Sequence, residues 1–196
     1  MLKRVFDFST SLIGLLILSP ILLLIGIIIK LESKGLIFYR QKRVGLGGLE
    51  FKIFKFRTML IGSDKKGLLT VGDRDPRVTK IGYFLRRYKL DELPQLINVF
   101  LGDMSIVGPR PEVQKYVSYY TSEDKIVLSV KPGITDYASI HFRNETELLK
   151  NSKTPEELYI EDIMPKKLAL NRKYILEQSL ITDLKIILNT FVAILK

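Results

Sequence analysis

Along the chain the sharpest break in the hydrophobic pattern comes early. Leu12 to Ile29 is an 18-residue run without a charge, and 14 of its residues are Leu or Ile. A straight helix of that length rises roughly 27 Å, just short of a hydrocarbon core of roughly 30 Å. The run is apolar on every side, unlike an amphipathic surface helix. A cleaved signal peptide is disfavoured, because Asp7 interrupts the basic stretch such a leader carries and no small-x-small site follows. Lys3 and Arg4 precede the run, while Lys30, Lys34, Arg40, Lys42 and Arg43 follow it. Positive charge stays cytoplasmic, so both ends favour one side. Ser19 and Pro20 sit at the centre. Pro20 has no N–H for the Leu16 carbonyl, which predicts a bend, and a Ser19 hydroxyl can take up a freed carbonyl in lipid. Two readings stay open: a re-entrant helix–break–helix hairpin over residues 1–35 that breaks at Ser19 and Pro20, and a bitopic anchor with a mild kink.

Residues 36–196 read as one globular unit. Leu36–Arg40 and Leu49–Phe56 have the composition of strands, and Gly45, Gly47 and Gly48 between them predict a β-hairpin. Ile61–Pro76 is polar and Gly-rich and reads as a loop. Thr79 is placed to cap a helix over Lys80–Lys89, and Asp91 to cap a second over Glu92–Leu101 that Gly102 stops. Ser105–Pro111 is a rigid Pro/Gly segment. Helical spacing recurs at Val113–Tyr120, Pro155–Met164 and Lys166–Gln178, and Lys131–Ile140 looks extended. Leu180–Leu195 carries one wide apolar stripe, which suits either a core helix or an amphipathic helix lying on a membrane. The fold class expected is therefore α+β: the hairpin, then a small, mostly helical cytosolic domain with a short β-hairpin and a C-terminal amphipathic helix.

Composition narrows the chemistry. The 196 residues include no Cys, no Trp and one His, His141. Disulfides, Cys-ligated zinc, iron–sulfur clusters and thiol nucleophiles are excluded, and so is a multi-histidine metal site. Carboxylates, Lys, Arg, hydroxyls or a bound cofactor remain. The net charge is +10. Residues 1–120 hold 20 basic and 10 acidic residues, which accounts for the whole excess. A basic front half points to a polyanionic partner.

Four candidates for chemistry stand out. Asp91–Glu92 follows the cluster Arg86, Arg87 and Lys89 at a predicted helix start, where carboxylates stay ionised as a nucleophile or Mg²⁺ ligand requires. The plain alternative is an N-cap. Arg110 lies between Pro109 and Pro111, which limit the conformations of a guanidinium fork suited to phosphate. Lys55 and Arg57 share one face of the second strand, with Phe54 and Phe56 on the other. Arg143 follows His141 by two residues, in a stretch that is otherwise uninformative.

A series of motifs ties these together. FYRQKRVG (38–45), KFRTM (55–59), LDELPQLINV (90–99), GDMSIVGPRPE (102–112) and KPGIT (131–135) follow Ser19-Pro20 in order. The series resembles the bacterial sugar transferase family, small monotopic phosphoglycosyl transferases, over nearly the whole chain. The resemblance implies an Mg²⁺-dependent enzyme at the cytoplasmic face of the bacterial inner membrane. It would move a phosphosugar from a UDP-sugar to undecaprenyl phosphate and release UMP, as the first membrane step of a surface glycan or glycoprotein pathway. It further implies Asp91 as nucleophile through a covalent aspartyl phosphosugar, Glu92 as the Mg²⁺ ligand, and Lys55, Arg57, Arg110 and Arg143 on phosphate oxygens. The partners expected are UDP-sugar, undecaprenyl phosphate and membrane lipid, with a second copy of the chain as a candidate and no nucleic acid. The sequence departs from the family pattern at Asp136-Tyr137-Ala138 and Phe142-Arg143-Asn144, where many members read Gly-Trp-Ala and Gly-Arg-Asn. That departure bears on sugar and uridine recognition more than on the chemistry. The resemblance is to the small members of the family, so the additional N-terminal transmembrane domain of larger relatives is not expected. The competing reading is a membrane-tethered polyanion-binding scaffold without catalysis, and a third is an Mg²⁺-dependent phosphatase.

Overall fold

Helix α1 (Leu2–Glu32) runs unbroken through the whole apolar segment in the computed structural model, which describes residues 2–63 and 75–195. The sequence predicts a helix–break–helix here, and the structure has one helix. Pro20 removes a single N–H, and the Ser19 hydroxyl takes its place, donating to the Leu16 carbonyl at 2.8 Å. One face of α1 rests on the rest of the protein: Asp7, Ser11, Ile25, Gly26 and Ile29 are buried along it. The other face presents Ile13, Leu16, Ile17, Leu23 and Leu24 outward. The helix is long and apolar enough to cross a membrane.

Both ends of α1 are fastened to the same domain. At the start, Lys3 pairs with the buried Asp183 at 2.5 Å. Arg4 donates to the carbonyls of Val99 and Phe100 at 2.6 and 2.8 Å, and Asp7 accepts from Ser105 Oγ and the Ile106 N–H, each at 3.0 Å. At the far end, the Arg57 guanidinium donates to the carbonyls of Ile29, Ser33 and Lys34. The Ile29 carbonyl also accepts the Ser33 N–H at 3.3 Å, and Ser33 and Lys34 lie just past the end of the helix. Glu32 accepts the Ile81 N–H at 3.0 Å, and Ile25 and Ile29 pack with Phe56 and Leu85.

Strands β1 (Phe38–Val44) and β2 (Glu50–Phe56) form the expected antiparallel hairpin, with Lys55 opposite Tyr39. The loop expected over Ile61–Pro76 falls mostly in 64–74, outside the described residues. Helix α2 (Lys80–Arg87) starts at the predicted cap, where the Thr79 side chain accepts the Gly82 N–H. Helix α3 (Gln95–Leu101) ends at Gly102, which takes the left-handed φ of 97° that favours glycine. Strand β3 (Ser105–Val107) runs parallel to β4 (Gly133–Thr135), a pairing that the sequence reading missed. Gly108 and Gly133 meet where these segments cross: a Cβ on Gly133 would collide with the Gly108 backbone, and one on Gly108 with the Lys131 carbonyl.

The remaining helices are α4 (Gln114–Val117), α5 (Tyr137–His141), α6 (Glu145–Lys150), α7 (Pro155–Leu158), α8 (Met164–Leu176) and α9 (Leu180–Leu195). The extended reading of Lys131–Ile140 holds only for β4. Beyond it Asp136 accepts the Ser139 N–H at 2.6 Å and starts α5. The Val113–Tyr120 helix contracts to α4. The two helices predicted on either side of Pro165 run into each other through a π-helical turn, Tyr159–Ile163. Helix α9 has the predicted bounds. It sends Asp183 and Ile186 into the core and turns Ile181, Leu184, Leu188, Phe191 and Val192 outward. The fold is thus α+β and mostly helical, built around two two-stranded sheets.

Candidate active site

Asp91 lies in a short 3₁₀ turn, Leu90–Glu92, between α2 and α3. The residue before this turn, Lys89, has φ 55°, the only positive φ among described non-glycine residues. Such a backbone costs about 1 kcal/mol or more and persists where the surroundings enforce it. The N-cap expected at Asp91 is not formed, because α3 starts at Gln95. A cap side chain accepts an N–H two or three residues on, and three residues past Asp91 is Pro94, which has none. The Asp91 carboxylate is 8% exposed and has no hydrogen-bond partner among the described residues. Burial, and after it the charge of Glu92, push its pKa above the ordinary carboxylate value.

Glu92 is in the opposite situation. Lys55 Nζ lies 2.9 Å from Oε1. The Arg110 guanidinium engages both oxygens, Nη1 at 2.9 Å from Oε2 and Nη2 on Oε1. Burial alone would raise the Glu92 pKa, but Arg110 and Lys55 outweigh it and hold the group well below the usual range. Two cations thus converge on one carboxylate. Among the described residues neither Lys55 Nζ nor the Arg110 guanidinium has another hydrogen-bond partner. Burial pushes the Lys55 pKa down, whereas Glu92 raises that of Arg110.

Each member is placed by its element. The buried Asn98 on α3 accepts the Phe54 N–H at 2.8 Å and donates to the Lys52 carbonyl at 2.9 Å. This double bond to β2 sets Lys55 against Glu92. Arg110 follows the Gly108–Gly133 crossing, where the Gly133 N–H donates to the Pro109 carbonyl at 3.0 Å. Between two prolines, the Arg110 N–H is the sole backbone donor of its triplet, and it donates to Asp136 Oδ2 at 3.1 Å.

Four of the predicted residues therefore meet: Asp91, Glu92, Lys55 and Arg110. Two do not join them. The Arg57 side chain closes the end of α1, and Arg143 donates to the Ala193 carbonyl of α9 at 2.6 Å. Lys55 and Arg57 alternate as predicted, but β2 ends at Phe56 and the chain turns before Arg57. Two residues near the site were missed. Asp136, fully buried, was noted only as a departure from pattern. Gln95, four residues past Asp91, is fully buried with neither Oε1 nor Nε2 partnered. A polar residue at the start of a helix, directly after Pro94, was the available signal for it.

The oxygen donors of Asp91 and Glu92 suit a hard cation. Mg²⁺ is commonly held by one or two carboxylates together with substrate phosphates, and the adjacent pair fits that use. Among the described residues no group of three or more His, Asp or Glu forms an all-protein cage.

The description "Bacterial sugar transferase" belongs to the family whose model matches residues 1–196. A UDP-glucose:undecaprenyl-phosphate glucose-1-phosphate transferase of Escherichia coli K12 is 40% identical over 194 residues, covering 97% of this chain and 39% of that protein. A UDP-N-acetylgalactosamine-undecaprenyl-phosphate N-acetylgalactosaminephosphotransferase of Aeromonas hydrophila is 39% identical over 142 residues, 71% of this chain and 34% of that protein. The exopolysaccharide production protein ExoY of Sinorhizobium fredii is 34% identical over 208 residues, 98% of this chain and 84% of that protein. The chain thus spans about two fifths of the Escherichia coli relative and most of ExoY. The motif series, the meeting of its charged residues and the full-length family match agree, and the chain belongs to the bacterial sugar transferase family.

Proposed function

We propose that this protein transfers a phosphosugar from a UDP-sugar to a polyprenol phosphate, undecaprenyl phosphate in a bacterium, and releases UMP. The observation that carries the reading is the juxtaposition of an unpartnered, buried Asp91 with two cations that, among the described residues, form ion pairs with Glu92 alone. A scaffold for polyanions would spread its cations over the surface instead. The names of the relatives supply the substrate class.

In this reading an Asp91 oxygen attacks the β-phosphorus of the UDP-sugar. The bond from that phosphorus to the bridging oxygen breaks, and UMP leaves with the electron pair. An oxygen of the polyprenol phosphate then attacks the aspartyl phosphosugar and expels the Asp91 carboxylate, giving a polyprenyl diphosphosugar. Arg110 and Lys55 hold phosphate oxygens, and Arg110 places its two N–H groups as a planar fork. Glu92 would hold Mg²⁺ together with the diphosphate, and the ion would supply neutralisation of charge on the leaving phosphate.

The site works on a lipid substrate, and α1 and α9 provide a seat for it. Fastened at both ends to one domain, α1 keeps both ends on the cytoplasmic side and turns its outward apolar face into the bilayer, as the flanking positive charges favour. A spanning path would put one set of those contacts on the wrong side. The outward apolar face of α9 lies along the membrane surface.

The test is a panel of UDP-sugars with undecaprenyl phosphate and Mg²⁺, read by UMP. Release with one sugar supports the transferase, inorganic phosphate instead of UMP supports a phosphatase, and neither product supports the scaffold. Cysteines at positions 3 and 34 of this cysteine-free chain should both label from the cytoplasm. Periplasmic labelling of position 3 overturns the one-sided path.

A further inference from the structure

We infer that Glu92 is a stand-in for substrate phosphate: its carboxylate fills the Lys55–Arg110 clamp until a diphosphate displaces it, so that diphosphate and divalent cation bind cooperatively. The inference rests on the transferase reading and goes beyond it.

The geometry is that of an occupied anion site. A carboxylate and a phosphate present the same pair of oxygens to a guanidinium, and Arg binds both through parallel N–H···O bonds. Here Glu92 makes that fork–fork pair with Arg110, and Lys55 adds a third contact on Oε1. The two side chains assigned to the diphosphate are therefore already engaged within the protein. Conversely, a Glu92 that has both oxygens on cations offers little negative charge to Mg²⁺. Each ligand is blocked by the same ion pair, and each removes the obstacle to the other. A diphosphate that takes over Arg110 and Lys55 leaves Glu92 without its cations, and a buried, uncompensated carboxylate is costly. A divalent cation bridging Glu92 and the incoming phosphate relieves that cost. The coupling is reciprocal by linkage.

Asp91 serves as the control within the same turn. It carries the same formal charge next to the same clamp, but no hydrogen bond or ion pair joins it to Lys55 or Arg110. A plain field effect would make Asp91 and Glu92 equivalent, whereas occupancy of the clamp makes them differ.

The experiment is isothermal titration of UDP into the full chain in lipid nanodiscs, first in EDTA and then in Mg²⁺. Loss of an ordinary metal ligand can only weaken binding. Glu92→Gln is instead expected to bind metal-free UDP at least tenfold more tightly than the wild type, and to gain less than threefold from Mg²⁺. Asp91→Asn should change metal-free binding by less than threefold. Glu92→Asp keeps the charge and withdraws it from Arg110 by one methylene. It should share part of the metal-free gain, which keeps the test open if the Gln variant folds poorly. Metal-free affinity that is equal or weaker in both Glu92 variants, with Mg²⁺-dependent UDP binding intact in the wild type, overturns the inference and leaves the transferase reading standing. Equal gains in the Glu92→Gln and Asp91→Asn variants overturn it in favour of the field effect. A wild type that binds no UDP in Mg²⁺ overturns both.

Discussion

Glu92 and Glu112 lie on either side of Arg110 in the sequence, and both are partly buried carboxylates facing two cations. Their surroundings differ in one respect. At Glu112 each cation has a second oxygen to serve: Lys167 pairs with Glu145 at 2.9 Å and reaches Glu112 only at 3.8 Å, while Arg43 also donates to the Pro111 carbonyl at 3.0 Å and to Gln41. The Tyr159 hydroxyl closes the remaining side, donating to Glu112. Charges balance, and every group is engaged with several others. At Glu92 two cations share one carboxylate, and a second carboxylate, Asp91, waits beside them unpartnered. Both glutamates have depressed pKa values, each against the opposing effect of burial, so the shift alone does not separate them. What separates them is whether the network is complete. The Glu112 cluster has every group engaged, whereas the Glu92 cluster leaves one of its two carboxylates, Asp91, outside the ion pairs.

The comparison can be broken from either side. The largest effect is expected at Asp91. Asp91→Asn should lower UMP release by about four orders of magnitude with the fold intact, since an amide cannot form an acyl phosphate. Wild-type protein given UDP-sugar without lipid should gain one phosphosugar in mass on the Asp91 peptide, and the variant none. UMP release that strictly requires the lipid would instead favour direct transfer. Attack needs the ionised carboxylate, and burial raises the Asp91 pKa, so the wild-type rate should fall with decreasing pH at a midpoint above the ordinary aspartate value.

Glu112→Gln should show the reverse pattern. It leaves Arg43 and Lys167 short of an anion in the interior, so it should cost about 3 kcal/mol of stability in denaturant unfolding. Residual activity per folded molecule should stay near wild type. A stable but inactive Glu112→Gln protein would erase the distinction between the two clusters. Arg110→Lys keeps charge and loses the fork, and should lower kcat/KM by about 100-fold, the typical loss of one transition-state donor.

Smaller effects sharpen the boundary of the site. Asp136→Asn can still accept from one N–H but turns its amide toward the other, so the Arg110 backbone loses its anchor. A roughly tenfold fall in kcat/KM, about 1.4 kcal/mol, with an unchanged melting temperature marks Asp136 as a positioning residue. A parallel loss of stability would make it only a helix cap. Gln95→Met should be neutral or stabilising by up to about 1 kcal/mol, because it removes a buried amide without partners. An accompanying loss of UMP release would bring Gln95 into the site.

The sequence made the isolated elements legible because their signals are local. Thr79 announces α2, Gly102 ends α3, and the wide apolar spacing marks α9 to the residue. The meeting of Lys55, Glu92 and Arg110 came from the motif resemblance. Local pattern by itself left Glu92 in the first turn of a helix and Arg110 in a rigid Pro/Gly segment. The misjudgements share a cause in contacts between distant segments. The β3–β4 pairing joins residues about 28 apart, Asn98 sets β2 against α3 across 46 residues, and Arg57 spends its charge on the end of a helix that precedes it by 28. No periodicity reports such contacts. Asp91 was the instructive case, for the missing N–H of Pro94 was readable in the sequence and already argued against a simple cap.

The Lys3–Asp183 pair also sets a schedule. The two residues are 180 positions apart, and chains are made at about 5–20 residues per second, so Lys3 exists for roughly 9–36 seconds before its partner does. During that interval the apolar helix is in the cell without the domain that will hold its beginning. Only its own attraction to lipid shelters it, and its beginning is free to sample both sides of the bilayer. Synthesis of α9 then ends that freedom, so that a helix made much later decides where α1 stays.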